Sequence, residues 1–264
     1  MGPPARIHRL LLTAVAGIVF LFPSSARPDG LDISGYTVHH PTVQSYDPGM
    51  ARSLGFDEHS LQLWSALRLK PEIVLSERTR LTAEYELSGL YSSTGILISP
   101  AAGKTSRQIF DLTWKSVSEP HYTLINKIDR LYFRHESSGG EIVLGRQRIS
   151  WGTGRVWNPT DLFNPINPAD LYQIEKPGAD ALSLKIFLGP FDDIQLVIQP
   201  GEDIDELDGG VRYRTHAGEY DLSLVGGRFD RRLTLGGDLA GNLFEKKKRA
   251  EAVACFDVDG TGGD

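Results

Sequence analysis

The chain has 264 residues, of which 40% are hydrophobic and 23% are charged, and its formal net charge is -6 at pH 7. This composition excludes a weakly hydrophobic disordered segment, and the 28 glycines and 15 prolines follow no collagen-like period. The single cysteine, Cys255, excludes an internal disulfide and a two-cysteine redox or metal motif. The acidic balance argues against nucleic acid as a partner, because nucleic-acid binders rely on basic surfaces.

The first 26 residues have the pattern of a secretory signal peptide. A basic start with Arg6 and Arg9 precedes an apolar run at 10–22, and small residues at 24–26 suit cleavage. The run is shorter than the about 20 apolar residues of a membrane-spanning helix, so a retained anchor is the weaker interpretation. We therefore expect an exported mature chain, residues 27–264. Loss of the two arginines changes its formal net charge from -6 to -8.

After the signal peptide, hydrophobic and polar residues alternate with a period of two, which indicates β-strands rather than amphipathic helices. The first predicted hairpin lies within 60–88 and puts Arg68 opposite Glu86. Lys70 then faces Glu84, and the leucines share the other face. No convincing helix is predicted. The remaining strand candidates are 31–39, 108–115, 128–135, 141–149, 182–186, 194–198, 211–215, 220–224 and 250–256.

Two later hairpins show the same division into an aliphatic face and a polar face. One of them pairs Leu184 with Leu196. The other turns at Ala217-Gly218, a two-residue loop, and pairs Arg214 with Asp221. Each hairpin can be extended into a sheet in which every strand has one aliphatic side.

An all-β chain with this pattern is either a soluble sandwich or a closed barrel. A sandwich buries the aliphatic face against a second sheet. A transmembrane barrel exposes that face to lipid and turns the polar residues inward. Charges of both signs on the polar face, the export signal, and short turns beside long connections at 150–179 and 230–247 favour the barrel.

The middle of the chain adds a resemblance. Residues 144–165, with the sequence LGRQRISWGTGRVWNPTDLFNP, resemble the strand-to-loop passage of porin-like outer-membrane barrel proteins of Gram-negative bacteria. The resemblance implies an outer-membrane location and a diffusion or transport role, and it supplies no catalytic residue. Gly152 and Gly154 permit unusual backbone angles, and the Asn-Pro pairs at 158–159, 164–165 and, just after the passage, 167–168 block continuation of the strand. The aromatic and arginine side chains of this passage either form a constriction inside a lumen or pack the loop onto the rim.

Motifs for catalysis are nearly absent from the sequence. A nucleophile elbow, an HExxH zinc motif and a P-loop are not found. Residues 257–261 resemble the DxDGT nucleophile motif of haloacid-dehalogenase-type phosphatases, but the parallel-sheet domain that this motif requires does not follow it. We interpret the stretch as a turn after the last strand, and we expect neither an enzyme nor a cofactor.

The sequence thus predicts an antiparallel transmembrane β-barrel, incomplete at its C-terminus because the last predicted strand leads only into a polar turn. Its predicted function is a porin-like channel for passive diffusion or export of small hydrophilic solutes, with outer-membrane lipid as its surroundings. The rival is a secreted or periplasmic β-sandwich that binds glycans or a partner protein. The candidate pore residues are Arg146, Arg148, Arg155 and Trp157 at the constriction, with Arg68, Lys70, Arg212 and Arg214 along the wall.

Overall fold

The structure is a computed structural model that describes residues 14–15, 18–22, 30–55, 57–95, 107–152, 158–163, 175–201, 206–243 and 246–257. Fourteen β-strands and one helix lie in these ranges. The strands are β1 (Ala14–Val15), β2 (Ile18–Phe22), β3 (Leu31–Ser45), β4 (His59–Ser76), β5 (Thr79–Ser92), β6 (Thr113–Ser118), β7 (Tyr122–Ser137), β8 (Gly140–Gln147), β9 (Ala179–Phe187), β10 (Asp193–Gln199), β11 (Asp208–Ala217), β12 (Tyr220–Phe229), β13 (Arg232–Leu243) and β14 (Lys246–Asp257). The helix is α1 (Pro48–Leu54). Among the described residues, no helix is both long enough and apolar enough to cross a bilayer.

All fourteen strands form one antiparallel sheet. Its order is β1-β3-β4-β5-β7-β8-β9-β10-β11-β12-β13-β14, with β2 also pairing with β3 and β6 with β7. The predicted all-β antiparallel architecture is therefore confirmed. Within the described ranges no pairing joins β14 to the opposite edge, so the sheet is not closed into a barrel. β1 and β2 lie inside the segment for which the sequence predicts a signal peptide.

The connections differ in length between the two ends of the sheet. At one end the turns are short: 77–78, 138–139, 188–192 and 218–219. At the other end the connections are longer: 46–58, the stretch from β5 to β7 that contains β6, 148–178 and 200–207, with 230–231 as a tight exception. The prediction of a long connection over 230–247 is wrong. The segment forms β13, because its leucines alternate with small and polar residues despite the many glycines.

Two of the three predicted hairpin registers are confirmed. Arg68 lies opposite Glu86, and Leu184 lies opposite Leu196. The third is wrong by two residues, since Arg214 pairs with Ser223 rather than with Asp221. The turn residues are Gly218 and Glu219 rather than Ala217 and Gly218. Gly218, with a φ of +66°, is the first central residue of this turn, a position at which positive φ favours glycine. A shift of two residues leaves each side chain on its expected face.

The expectation that the chain has no helix is wrong at α1. Pro48 is the first helical residue, a position that tolerates proline because its missing N–H would have no intrahelical partner. Asp47 precedes it and caps the helix, since its carboxylate accepts a hydrogen bond from the Gly49 N–H at 2.9 Å. The helix has only seven residues, too few to produce a clear helical period in the sequence.

The two faces of the sheet have opposite character. A lateral row of aliphatic residues crosses β8 to β11 on the exposed face, and its members are Ile142, Leu184, Leu196 and Val211. The row one residue along points to the other face, and its members are Glu141, Lys185, Gln195 and Arg212. We call this second side the polar face. Buried charged side chains lie on it along several strands, including Arg68 and Glu84.

The sheet curves toward its polar face. A chain of contacts crosses that face from β14 to β3 through the connection between β8 and β9, residues 148–178, and it runs through Glu251, Thr160, Asp161, Lys176, Glu175 and Tyr36. Thr160 donates a hydrogen bond to Glu251 at 3.1 Å, and Tyr36 donates one to Glu175 at 2.8 Å. If the strands from β3 to β14 lay flat, the sheet would be about 50 Å wide. Three side-chain contacts and two steps between chain neighbours fall short of that width, so the edges approach one another.

Gly145 gives a test of this fold. Its φ is +116°, and a Cβ added there would lie 2.4 Å from the Leu131 carbonyl oxygen on β7. Gly139, in the turn between β7 and β8, has open space around the same position. We expect Gly145→Ala to lower the free energy of unfolding by about 1–3 kcal/mol. Gly139→Ala should change it by less than about 0.5 kcal/mol. Urea unfolding followed by tryptophan fluorescence measures both, and equal effects would contradict the described backbone at Gly145.

Candidate functional site

A buried network of opposite charges lies on the polar face where β4, β5 and β7 meet. Its cationic members are Arg68, Lys70, Lys127 and Arg130, and its acidic members are Glu84, Glu86, Asp129 and Glu175. We call this set the Arg68 network. Each cation has a carboxylate within ion-pair distance, as burial of charge requires.

Arg68 lies at the centre of this network. Its Nε donates to Glu84 Oε2 at 3.0 Å, and its Nη1 donates to Glu86 Oε2 at 3.2 Å. Its Nη2 also binds Asp129. Arg130 binds the other oxygen of Glu84 at 2.7 Å, so this carboxylate joins two guanidinium groups. Arg68, which the sequence predicts to line the wall of a pore, therefore binds carboxylates of the neighbouring strands β5 and β7 and is almost fully buried.

A β-bulge supplies one of the acidic groups. Glu84 pairs with Arg130, whereas the next residue, Tyr85, pairs with Ile128, so Asp129 is an extra residue on β7. Asp129 and Arg130 are consecutive, yet both are buried on the polar face. An alternating pattern assigns them to opposite faces, so the bulge brings a carboxylate where the sequence predicts none.

Glu175 attaches the β8–β9 connection to the Arg68 network. Its Oε1 accepts hydrogen bonds from Lys70 at 2.6 Å and from Tyr36 at 2.8 Å, and its Oε2 accepts one from Arg130 at 3.2 Å. Burial by itself raises the pKa of Glu175. The bond from Lys70 and the charge of Arg68 outweigh burial and hold that pKa below its ordinary value. Lys70, also predicted to line the wall, thus donates a hydrogen bond to a carboxylate of this connection.

An aromatic cluster holds the other part of the β8–β9 connection. Trp151 and Phe163 are fully buried, with ring centroids 4.9 Å apart in an edge-to-face arrangement. Phe163 packs in the same way on Phe229 of β12, also at 4.9 Å. The Trp151 ring lies close to Gly210 on β11, where an added Cβ would come within 3.1 Å of it. This packing shows that the connection lies over the polar face of β10 to β12.

Arg146 is paired with a strand neighbour. Its Nε donates to Asp180 Oδ1 at 2.8 Å and its Nη2 to Asp180 Oδ2 at 2.9 Å, a two-pronged ion pair. Its Nη1 donates to the Ile128 carbonyl at 3.3 Å. Asp180 also accepts from the backbone N–H of Ile109 at 2.8 Å. Only 2% of Arg146 is exposed, so this predicted constriction residue joins β7, β8 and β9.

The remaining predicted site residues do not lie together in the described structure. Arg148 and Arg212 line a polar cavity of about 370 Å³ on the polar face. Arg214 is half-exposed, and its Nη2 lies 2.5 Å from Asp193 of β10. Arg155 and Trp157 lie outside the described residues. The structure thus brings Arg148 and Arg212 to one cavity, and it puts Arg68 and Lys70 in a separate network.

Comparison of the chain with protein-family models, with curated protein sequences and with solved structures gives no match in any of the three. The resemblance of residues 144–165 to porin-like proteins therefore stays a prediction. Within the described ranges, no three His, Cys, Asp or Glu side chains come together as metal ligands would.

Sequence reasoning missed the acidic partners. Glu175 and Asp180 lie in or next to the β8–β9 connection, for which the sequence predicts only a loop, and Asp129 depends on a bulge. The balance of charge in the sequence could have indicated these acidic partners. Arginines on inward-facing strand positions need carboxylates when they are buried, and the acidic residues of the connection were the candidates.

We expect Glu175→Gln to loosen the β8–β9 connection. The substitution removes a charge that accepts three hydrogen bonds, and a hydrogen bond to a charged group contributes about 1.5–3 kcal/mol. Protease cleavage within the connection should become about tenfold faster, because cleavage follows the population of the open form. Glu219→Gln, in the exposed turn between β11 and β12, is the matched control and should leave the rate unchanged. Equal rates in both variants would contradict the attachment.

The same attachment should depend on pH. The pKa of Glu175 is lower in the folded chain than in the unfolded one, so the charged form stabilises the fold above the ordinary glutamate pKa. This stabilisation is lost as the pH falls through the lowered pKa. Hydrogen exchange of the backbone N–H groups of Glu175, Lys176 and Gly178 between pH 7 and pH 3 should show protection that persists below the ordinary glutamate range and then decreases. Glu175→Gln should lack this component, and a parent chain with the same profile as the variant would contradict it.

Proposed function

We propose that this protein is an outer-membrane, porin-like channel that lets small hydrophilic solutes pass by passive diffusion or export. The observation that carries the proposal is the inverted arrangement of the sheet: aliphatic side chains on the exposed face and charged side chains on the buried one. Export through the predicted signal peptide would deliver the chain to the membrane. The proposal includes no catalytic step and no cofactor.

The exposed face is apolar across most of the sheet. Its outward residues include Leu224 on β12, which is 66% exposed, and Leu235 on β13, which is 51% exposed. Large contiguous apolar surfaces are unusual on soluble monomers and mark contact with lipid or another protein. In a transmembrane barrel this is the face that meets hydrocarbon.

A β-sandwich would bury the same residues. In that fold Leu184, Leu196 and Val211 would pack between two sheets, and Arg212 would point to solvent. The described sheet has the three aliphatic residues at 38–44% exposure, whereas the side chain of Arg212 is 11% exposed. This contrast favours the channel over the secreted sandwich.

Closure of the sheet is part of the proposal. Because each strand from β3 to β14 is antiparallel to the next, β3 and β14 run in the same direction. An all-antiparallel barrel built on them therefore needs at least one further strand between these two edges. β1 and β2 pair along this edge of β3, and removal of the predicted signal peptide would free that edge for closure.

The β8–β9 connection is the proposed constriction. It crosses the polar face and is held by Glu175 at one side and by Trp151 and Phe163 at the other. A segment fixed in this way would narrow the lumen and restrict solutes by size, while charged side chains replace part of their hydration. Arg155 and Trp157 belong to this constriction in the proposal.

Arginine substitutions on the exposed face test the membrane assignment. Leu224 lies in the middle of β12, whereas Leu188 lies in the turn between β9 and β10, and both are more than half exposed. In lipid, Leu224→Arg should lower the free energy of unfolding in vesicles by about 2–4 kcal/mol, because arginine at the bilayer midplane is costly. Leu188→Arg should cost less than about 1 kcal/mol, because the turn lies near the interface.

Fractionation of cells that express the protein provides the direct check. Recovery from outer membranes, heat-modifiable migration in detergent and conductance in planar bilayers support the channel. A soluble periplasmic product in which both leucine-to-arginine variants fold as well as the parent would refute it and leave the sandwich.

A further inference from the structure

We propose that the cavity on the polar face is a binding site for a small polyvalent oxyanion of the phosphate class. The cavity has a volume of about 370 Å³ and is lined by β7, β8, β9, β10, β11 and the start of the β8–β9 connection. As a statement about which solutes the channel selects, the inference rests on the proposed function. As a statement about binding, it depends only on the cavity.

The cavity carries more positive than negative charge. Its basic lining residues apart from Arg130 are Arg134, Arg148, Lys185 and Arg212. Glu141 is its one acidic lining residue in the described part of the chain. Arg130 is already neutralised by Glu84 and Glu175 in the Arg68 network. The remaining four basic groups share Glu141 in the lining, while Glu136 and Asp193 outside it lie 3.7 Å from Arg134 and 3.8 Å from Arg212. The basic groups still outnumber these carboxylates, which leaves an excess that an anion can neutralise.

The carboxylate in the lining is shared and held loosely. Arg134 Nη1 lies 3.5 Å from Glu141, and Lys185 Nζ lies 3.7 Å from the same group, both longer than a hydrogen bond between charged groups. Arg212 lies 3.8 Å from Oδ1 of Asp193, too far for a hydrogen bond, while the other oxygen of Asp193, Oδ2, binds Arg214 at 2.5 Å. Arg148 forms no ion pair with a carboxylate among the described residues. The cations around this cavity therefore keep free hydrogen-bonding capacity.

Unpartnered donors support the same conclusion. The Nε–H groups of Arg134 and Arg212 are buried and have no hydrogen-bond acceptor in the described structure. Buried donors are nearly always satisfied in proteins, by the protein itself or by a bound group. Guanidinium groups present planar pairs of donors that match the oxygens of phosphate and carboxylate. A solute with several anionic oxygens fits these donors better than a monovalent spherical ion.

The size of the cavity limits the class of ligand. A volume of about 370 Å³ lies at the low end of the range for small-molecule sites. Inorganic phosphate with its hydration water or a small phosphoester fits this space. Tyr132 and Ile149 line the cavity as well and offer apolar contact to an organic part of the solute.

Titration calorimetry of the full-length chain with inorganic phosphate tests the inference. The chain is studied in detergent micelles if it is recovered from membranes and in buffer if it is soluble, at low ionic strength. The parent should bind phosphate. Arg148→Gln should bind about tenfold more weakly, because it removes one positive charge from the cavity. This side chain is exposed and makes no ion pair with any residue that the structure describes, so the variant should fold as the parent does.

Two further variants separate binding from structural damage. Arg80→Gln removes the same charge from a half-exposed arginine that pairs with Glu72 outside the cavity, and it should bind phosphate as the parent does. Glu141→Gln removes the cavity's carboxylate and should bind phosphate more tightly than the parent, an effect that loss of fold could not produce.

The outcomes distinguish this inference from the proposed function. Absence of phosphate binding by the parent, or equal affinity in Arg148→Gln, Arg80→Gln and Glu141→Gln, overturns the anion site. A soluble protein that binds phosphate in the predicted order keeps the site and refutes the channel. A conducting barrel without phosphate binding keeps the channel and refutes the site.

Discussion

Burial of charge on one face of a single sheet is the constraint on which the rest of this structure depends. A guanidinium group removed from water costs several kcal/mol unless a carboxylate and hydrogen bonds compensate it. Arg68 and Arg130 meet this requirement through Glu84, Asp129 and Glu175, which belong to β5, β7 and the β8–β9 connection. The sheet must therefore curve enough for groups far apart in sequence to meet. Its aliphatic side is then the convex and exposed one.

The β8–β9 connection follows from the same requirement. It provides the carboxylate of Glu175 to three donors and places Trp151 and Phe163 against Phe229. The polar face is consequently filled in two different ways. Ion pairs compensate one another near β4 and β7, and aromatic rings pack near β10 and β12. The cavity lies between these regions and keeps cations whose charge the protein does not fully balance.

Much of the fold could be predicted from the sequence because strand alternation is a local property. The pairing of Arg68 with Glu86 and of Leu184 with Leu196 followed from alternation and turn position alone. The register of β11 on β12 did not follow from the sequence. Gly218 can be the first or the second central residue of a two-residue turn, and the structure has it as the first, with a positive φ. β13 was missed because glycines hide the period, although the pairing of the strand with β12 and β14 is regular.

The sequence by itself determined which residues can share a face, because the side-chain period of a strand is two and does not depend on distant contacts. It also identified the arginines that point to the polar side. Only the tertiary structure decided which of them are neutralised. Arg130 meets Glu175 of the β8–β9 connection, Arg68 meets an Asp129 displaced by a bulge, and Arg148 has no carboxylate partner among the described residues. The physical reason is that charge compensation acts through space over a few ångströms, and the approach of these groups is set by curvature, bulges and the path of a long connection.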